Sequence, residues 1–230
     1  MEDGVQVVWN IPGVDIPITN VVLMSWIAMA VIIVWAWVST RKLELVPKGL
    51  QKSAELVVEN INNFAESIIG KSGRQFAPYL GTIALFLGIV NTVGALSMSK
   101  LTGGVIAPAA RSLGIPVALA GMTILLAIGA GIYKRGGIGY IKRLFQPMPI
   151  MFPFNLLEFI IKPLSLSMRL FGNILGAYIL MEMLISVLPT IAPSIVCLYF
   201  DIFDGGLQAY VFVLLTSLYI SEEVGEAEQD

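Results

Sequence analysis

The sequence contains no histidine. That absence excludes a histidine-based catalytic triad, a histidine-ligated metal and an imidazole proton shuttle. Its one cysteine, Cys197, leaves neither a disulfide framework nor a multi-cysteine metal site. Charge is scarce as well: Asp, Glu, Lys and Arg make up 13% of the 230 residues, against roughly 25% in an ordinary soluble domain. Net charge is −2, so the basic surface that nucleic-acid binding requires is missing. No phosphate-cradling glycine loop occurs, and nucleotide chemistry is not expected of this chain. Apolar residues, by contrast, reach 57%, and mean hydropathy is +0.83. There is too little polar surface to coat a globule, which leaves an integral membrane protein.

A helix crosses a hydrocarbon core of about 30 Å with about 20 mostly apolar residues. By that measure residues 21–39, 75–99 and 113–133 each read as a span. They are bounded by Arg41-Lys42, by Arg74 and Lys100, and by Arg111 and Lys134-Arg135. Residues 150–220 are apolar for longer than one crossing needs and contain ionisable groups, so they read as a long tilted helical hairpin turned at Pro189 and Pro193. Residues 1–20 form an arm before the first span. Glu2 and Asp3 stand where a secretory signal would be basic, and Pro12 and Pro17 interrupt its apolar run. Residues 221–230 form an acidic tail.

Residues 44–71 have a different pattern. Leu50, Ala54, Val57, Ile61, Phe64 and Ile68 recur at intervals of four and three, the stripe of an amphipathic helix. Lys48, Lys52, Glu55, Glu59, Asn62 and Glu66 fill the other faces, so this helix is expected on the membrane surface, against a partner, or simply as a connector. Arg41, Lys42, Lys48, Lys52, Lys71 and Arg74 lie between the first two spans, and Lys134, Arg135, Lys142 and Arg143 follow the third. Only Lys100 and Arg111 fall between the second and third, and ten against two puts the richer loops in the cytoplasm. The expected fold is therefore an all-α integral membrane protein. It has five transmembrane helices plus a cytoplasmic-surface amphipathic helix in a single membrane domain, with its N-terminus outside and its C-terminus cytoplasmic.

The informative residues are the charges inside the hairpin: Glu158, Lys162, Arg169, Glu182, Asp201 and Asp204, with the polar Asn173, Tyr178 and Gln208. A mid-bilayer arginine costs about 2.5–3.5 kcal/mol on insertion scales, so such residues face a partner, water or a cavity. Glu158 and Lys162 are four apart and can pair near the cytoplasmic end. Arg169 has no acid within a helical turn. Asn173 and Gly176 project within about 60° of its direction, as the helical period requires. Gly172 and Gly176 form a small-xxx-small pair that lets another helix approach closely. Tyr178 and Glu182 point the other way, while Asp201, Asp204 and Gln208 share one face of the last helix at intervals of three and four. Acids and an amide at that depth suggest a hydrated cleft. The plainer alternative is that Asp201 or Asp204 neutralises Arg169 across the hairpin. That explains the charge balance but not the glycine face beside the arginine.

The run Lys162-Pro163-Leu164-Ser165-Leu166-Ser167-Met168-Arg169-Leu170-Phe171-Gly172-Asn173 closely resembles the signature of subunit a of rotary F-type ATP synthases. Leu207-Gln208-Ala209-Tyr210-Val211-Phe212, with Tyr219 beyond, resembles the family's final helix, and Pro78 through Asn91 and Gly94 resembles an earlier one. The likeness runs from about Val46 onward and is most specific at Arg169. It implies a subunit without a catalytic site or cofactor, embedded in the cell membrane beside a ring of c subunits and b-type peripheral stalk subunits. Arg169 matches the family's essential arginine, Gln208 the glutamine facing it and Asn173 the asparagine after it. Asp201 falls at an ion-path position, and Glu158 resembles a glutamate frequent before the signature. The resemblance further implies two offset half-channels through which protons or sodium ions reach the ring. Glu182, Tyr178, Asp201 and Asp204 would line the outer one, with Glu158 and Lys162 at the inner one. The chain departs from the pattern at Tyr178, where many bacterial members carry an acid, and at Ser112-Leu113-Gly114-Ile115-Pro116, where many carry an Asp/Asn motif. A secondary ion transporter or antiporter-like respiratory subunit also uses intramembrane Lys, Glu and Asp, and is the rival reading. A purely structural membrane scaffold is the third.

Overall fold

The computed structural model describes residues 7–10, 17–41, 43–96, 114–144, 152–187, 203 and 205–225. Six α-helices are present among them: α1 (Asn20–Thr40), α2 (Leu50–Ile69), α3 (Ala77–Leu96), α4 (Gly114–Leu144), α5 (Phe152–Val187) and α6 (Gly205–Gly225). The fold is helical but not purely so. Within the expected arm, β1 (Val7–Asn10) pairs antiparallel with β2 (Pro17–Thr19), Trp9 opposite Ile18, and β2 leads directly into α1. Pro17 sits at the first position of its strand, where its missing N–H costs least.

Two helical stretches, Val22–Thr40 and Gly114–Lys134, are long and apolar enough to cross a membrane, and Ala77–Asn91 is a shorter apolar one. They differ in surroundings. Only 11% of the α1 stretch is buried against the rest of the chain, compared with 44% for the α4 stretch. α1 is thus a peripheral helix, and its apolar surface must face lipid or another polypeptide. α4 continues past the expected boundary at Tyr133 to Leu144 and bends at Gly136, whose φ of 72° and ψ of 158° are left-handed and cheap only for glycine.

α6 is the centre of the bundle and packs against α2, α3, α4 and α5. Its Phe212, Val213, Ile220 and Val224 meet Leu80 and Leu87 of α3, Ala120 and Ala127 of α4, Leu166 and Leu170 of α5 and Ala65 and Ile69 of α2 in one core. The acidic-tail expectation is corrected here. Ile220 and Val224 continue the buried stripe of α6 at helical spacing, so the helix extends to Gly225 and takes Glu222 and Glu223 with it.

The amphipathic helix starts at Leu50 rather than near Glu44, because Pro47 lacks a donor and Gly49 adopts a left-handed φ of 57°. Its stripe lies against α3 and α6 of the same chain. Ala65 and Ile69 are buried, Ile61, Phe64 and Ile68 pack at the margin, and the Phe64 ring meets Tyr210 edge-on at 5.8 Å between centroids. Lys134 donates to Ser72 Oγ at 2.7 Å, and Ser221 Oγ donates to the Ile68 carbonyl at 2.9 Å. Together these contacts gather the end of α2, the Lys134 region of α4 and the end of α6 at one end of the bundle.

Candidate functional site

α5 and α6 run antiparallel, because moving back along α5 from Asn173 to Lys162 matches moving forward along α6 from Gln208 to Glu222. Leu166, Ser167 and Leu170 turn the inner face of α5 into the core. The opposite face follows from the helical period: Ser165, Met168, Arg169, Gly172, Gly176, Ile179 and Met183 are all exposed. Pro163 lies inside the helix one and a half turns before Arg169 and leaves the Phe159 carbonyl without its usual partner.

Arg169 is exposed and, among the described residues, forms no ion pair or side-chain hydrogen bond. Among the described residues a Cβ at Gly172 or Gly176 would find nothing within 4 Å, so beside the guanidinium lies a strip of bare backbone. One turn on, at the edge between the exposed and buried faces, Asn173 Nδ2 donates to Gln208 Oε1 at 3.0 Å. Gln208 is only 4% exposed. The hydrogen bond removes a burial cost of about 1–3 kcal/mol for that amide oxygen. The chain therefore brings Arg169, Asn173, Gln208 and the two glycines into one neighbourhood.

Gln208 has a support that the sequence reading did not assign to the site. Asn91 Nδ2 of α3 donates to the Gly205 carbonyl at 2.9 Å, one turn before Gln208. A Cβ on Gly205 would lie 2.8 Å from Asn91 Cβ, so only glycine admits the approach. Gly205→Ala is expected to lower stability by about 1–3 kcal/mol through overpacking. Adding Asn91→Ala should not relieve it, because the offending atom is Cβ itself, whereas Asn91→Gly should. Thermal unfolding of the three variants in detergent checks this. If Asn91→Ala restores stability as well as Asn91→Gly does, the close approach is not the cause.

The family model described as ATP synthase A chain matches residues 22–221. ATP synthase subunit a of Moorella thermoacetica is 37% identical over 209 residues, covering 91% of this chain and 92% of that protein. The chain belongs to the ATP synthase A chain family. Membership makes it a non-catalytic, ion-translocating membrane subunit of the Fo sector that works in association with other synthase subunits.

At the charged end of this family's helix pair, Lys162 is held by three groups. Its Nζ is 2.9 Å from Glu158 and 2.8 Å from Glu222, and it lies 5.6 Å from the Tyr219 ring centroid. The expected Glu158–Lys162 pair is present, and Glu222 joins it from α6. Glu222 was hidden by its place in the supposed tail, although the spacing of Ile220 and Val224 carries the signal that the helix continues. Tyr178 and Glu182 are on α5, with their side chains outside the described set, and Asp201 and Asp204 are outside the described residues.

Proposed function

We propose that this chain presents two offset half-channels to a ring of c subunits, so that proton or sodium flow turns the ring and drives ATP synthesis. The supporting observation is an exposed arginine on a glycine-lined helix face with no ion pair among the described residues. Lipid is a poor neighbour for a guanidinium, so the face suits a polypeptide that brings its own acid. An ion entering from outside by way of Glu182, Tyr178, Asp201 and Asp204 neutralises a ring carboxylate. The neutral site then turns through lipid, where a bare carboxylate would be strongly disfavoured. On return it meets Arg169, whose fixed positive charge favours the ionised acid and releases the ion towards Glu158 and Lys162. The cation also repels ions that would leak between the half-channels. A membrane potential of 100 mV contributes about 2.3 kcal/mol for each charge moved. Asn173 and Gln208 hold the two helices in register around the arginine, and b-type stalk subunits anchor the assembly against rotation. In this reading α1, α3, α4, α5 and α6 make five crossings, and the charged end of the bundle faces the cytoplasm of a plasma or inner membrane.

The test is a cross-link. In a Cys197→Ser background, Gly176→Cys puts a thiol where nothing crowds it, opposite single cysteines placed along the ring's outer helix in the complete complex. A disulfide to the ring is expected under mild oxidation. Absence of a ring cross-link at every tested height, from a complex that still assembles, would refute the proposed facing.

A further inference from the structure

We infer that the connection between α1 and α2 is a wedge that inserts into the bilayer interface and engages anionic phospholipid. Leu43, Leu45, Val46 and Leu50 are 72%, 105%, 67% and 53% exposed, an uncovered apolar cluster within eight consecutive residues. Clusters of this kind mark an interaction surface rather than scattered surface leucines. The cluster begins where the apolar, largely uncovered α1 ends, so it sits at the depth of the membrane boundary.

The connection is also built. Gln51 is 8% exposed; its Oε1 accepts from the Glu44 backbone N–H at 3.0 Å, and its Nε2 donates to the Glu44 carbonyl at 2.9 Å and to Glu55 Oε1 at 2.8 Å. A carboxamide has the donor and acceptor of a peptide group, so Gln51 supplies one rung of a ladder to Glu44. That rung ties the loop to the first turn of α2 and keeps Leu43, Leu45 and Val46 outside the chain's own core.

The charges around the cluster choose the occupant. Arg41 lies over the Trp37 ring at 5.1 Å, an arginine–tryptophan pair at the end of a span, where tryptophan favours the headgroup layer. Lys48 and Lys52 are exposed and Lys42 adds a fourth basic residue in sequence; against the exposed Glu44 inside the cluster, residues 41–52 keep a net charge of +3. Basic residues interleaved with aliphatic ones at the end of a span match a phosphate layer over acyl chains. The inference concerns lipid contact alone and does not depend on the rotary reading.

The experiment uses the full chain with Cys197→Ser and Leu45→Cys, a fully exposed position, labelled with an environment-sensitive fluorophore in nanodiscs. Lipid carrying a nitroxide high on its acyl chain is expected to quench the label about threefold in phosphatidylglycerol discs, as befits residence at the interface. Replacing phosphatidylglycerol with phosphatidylcholine should weaken the quenching, and Arg41→Ala with Lys48→Ala should remove that lipid dependence. Quenching by aqueous iodide without quenching by lipid nitroxide overturns the inference. So does a label that only the complete synthase shields, which would identify a protein partner instead.

Discussion

Replacing Arg169 with alanine is expected to abolish ion-driven ATP synthesis while leaving the complex assembled. The reason is electrostatic. A cation about 4 Å from a carboxylate at an effective dielectric of about 20 favours the ionised acid by about 4 kcal/mol. That is about three pKa units, or a thousandfold in the fraction of ring sites able to give up their ion at the stator. In the proposed arrangement, a ring carboxylate passing α5 without the guanidinium would stay neutral, and nothing would separate the two half-channels. The subunit itself should tolerate the change. Arg169 is exposed and makes no ion pair or side-chain hydrogen bond among the described residues, so alanine there removes none of the described polar contacts and adds helix propensity. Arg169→Lys is a weaker substitute, since a poorly hydrated ammonium loses its proton as pH rises while a guanidinium does not. The measurement is ATP synthesis by the reconstituted complex under an imposed ion gradient, alongside its subunit composition. Undiminished synthesis by Arg169→Ala would remove the arginine from the mechanism. Loss of the ring from the purified complex would make its role one of assembly.

What could be read without coordinates was whatever depends on local periodicity. The α2 stripe is an example in its second half: Ile61, Phe64 and Ile68 pack against the chain's own core beside the buried Ala65 and Ile69, which lie just off the expected stripe, while Leu50 at its start is exposed. Arg169 and its glycines were equally legible, because a charge in an apolar run and two glycines four apart are both properties of one helix. Contacts between helices were less legible. Asn173 meets Gln208 across 35 residues of sequence, and Asn91 meets Gly205 across 114. The family resemblance sets Gln208 opposite Arg169, not Asn173, and neither spacing nor composition points to the Asn91–Gly205 contact. Where local signals competed, one was misread. The acidic run after Ser221 outweighed the buried spacing of Ile220 and Val224, and so the partnership of Glu222 with Lys162 went unseen. The β1–β2 hairpin within the expected arm has no sequence signal, since Pro12 and Pro17 interrupt any strand pattern there, yet a strand at an edge begins on Pro17.

Gly172→Phe should have the second large effect, and it separates the face of α5 from its fold. Among the described residues nothing lies within 4 Å of a Cβ at this position, and Gly172 is on the exposed face of α5, so a side chain there starts outward from the chain's own core. Relative to glycine, phenylalanine even gains a few tenths of a kcal/mol in helix propensity. Thermal stability of the detergent-solubilised subunit should therefore be unchanged or slightly raised. The complex should respond differently. Bare backbone at a helix–helix contact allows an approach that a large side chain forbids, and overpacking at a close contact costs about 1–3 kcal/mol or more. If the ring passes this face as proposed, the contact is remade at every step, and the penalty applies to rotation as well as to assembly. Ring copurification is expected to fall about tenfold for a penalty of about 1.4 kcal/mol, and synthesis to fall further. Gly172→Ala should be intermediate in both. A stable Gly172→Phe subunit that still carries its ring and synthesises ATP normally would mean that this face of α5 meets lipid, and that the rotor contacts the chain elsewhere. The same phenylalanine placed at Ile179, also exposed but already bulky, supplies the control: if both substitutions act alike, steric bulk on α5 is the cause, and the glycine strip has no special part in the contact.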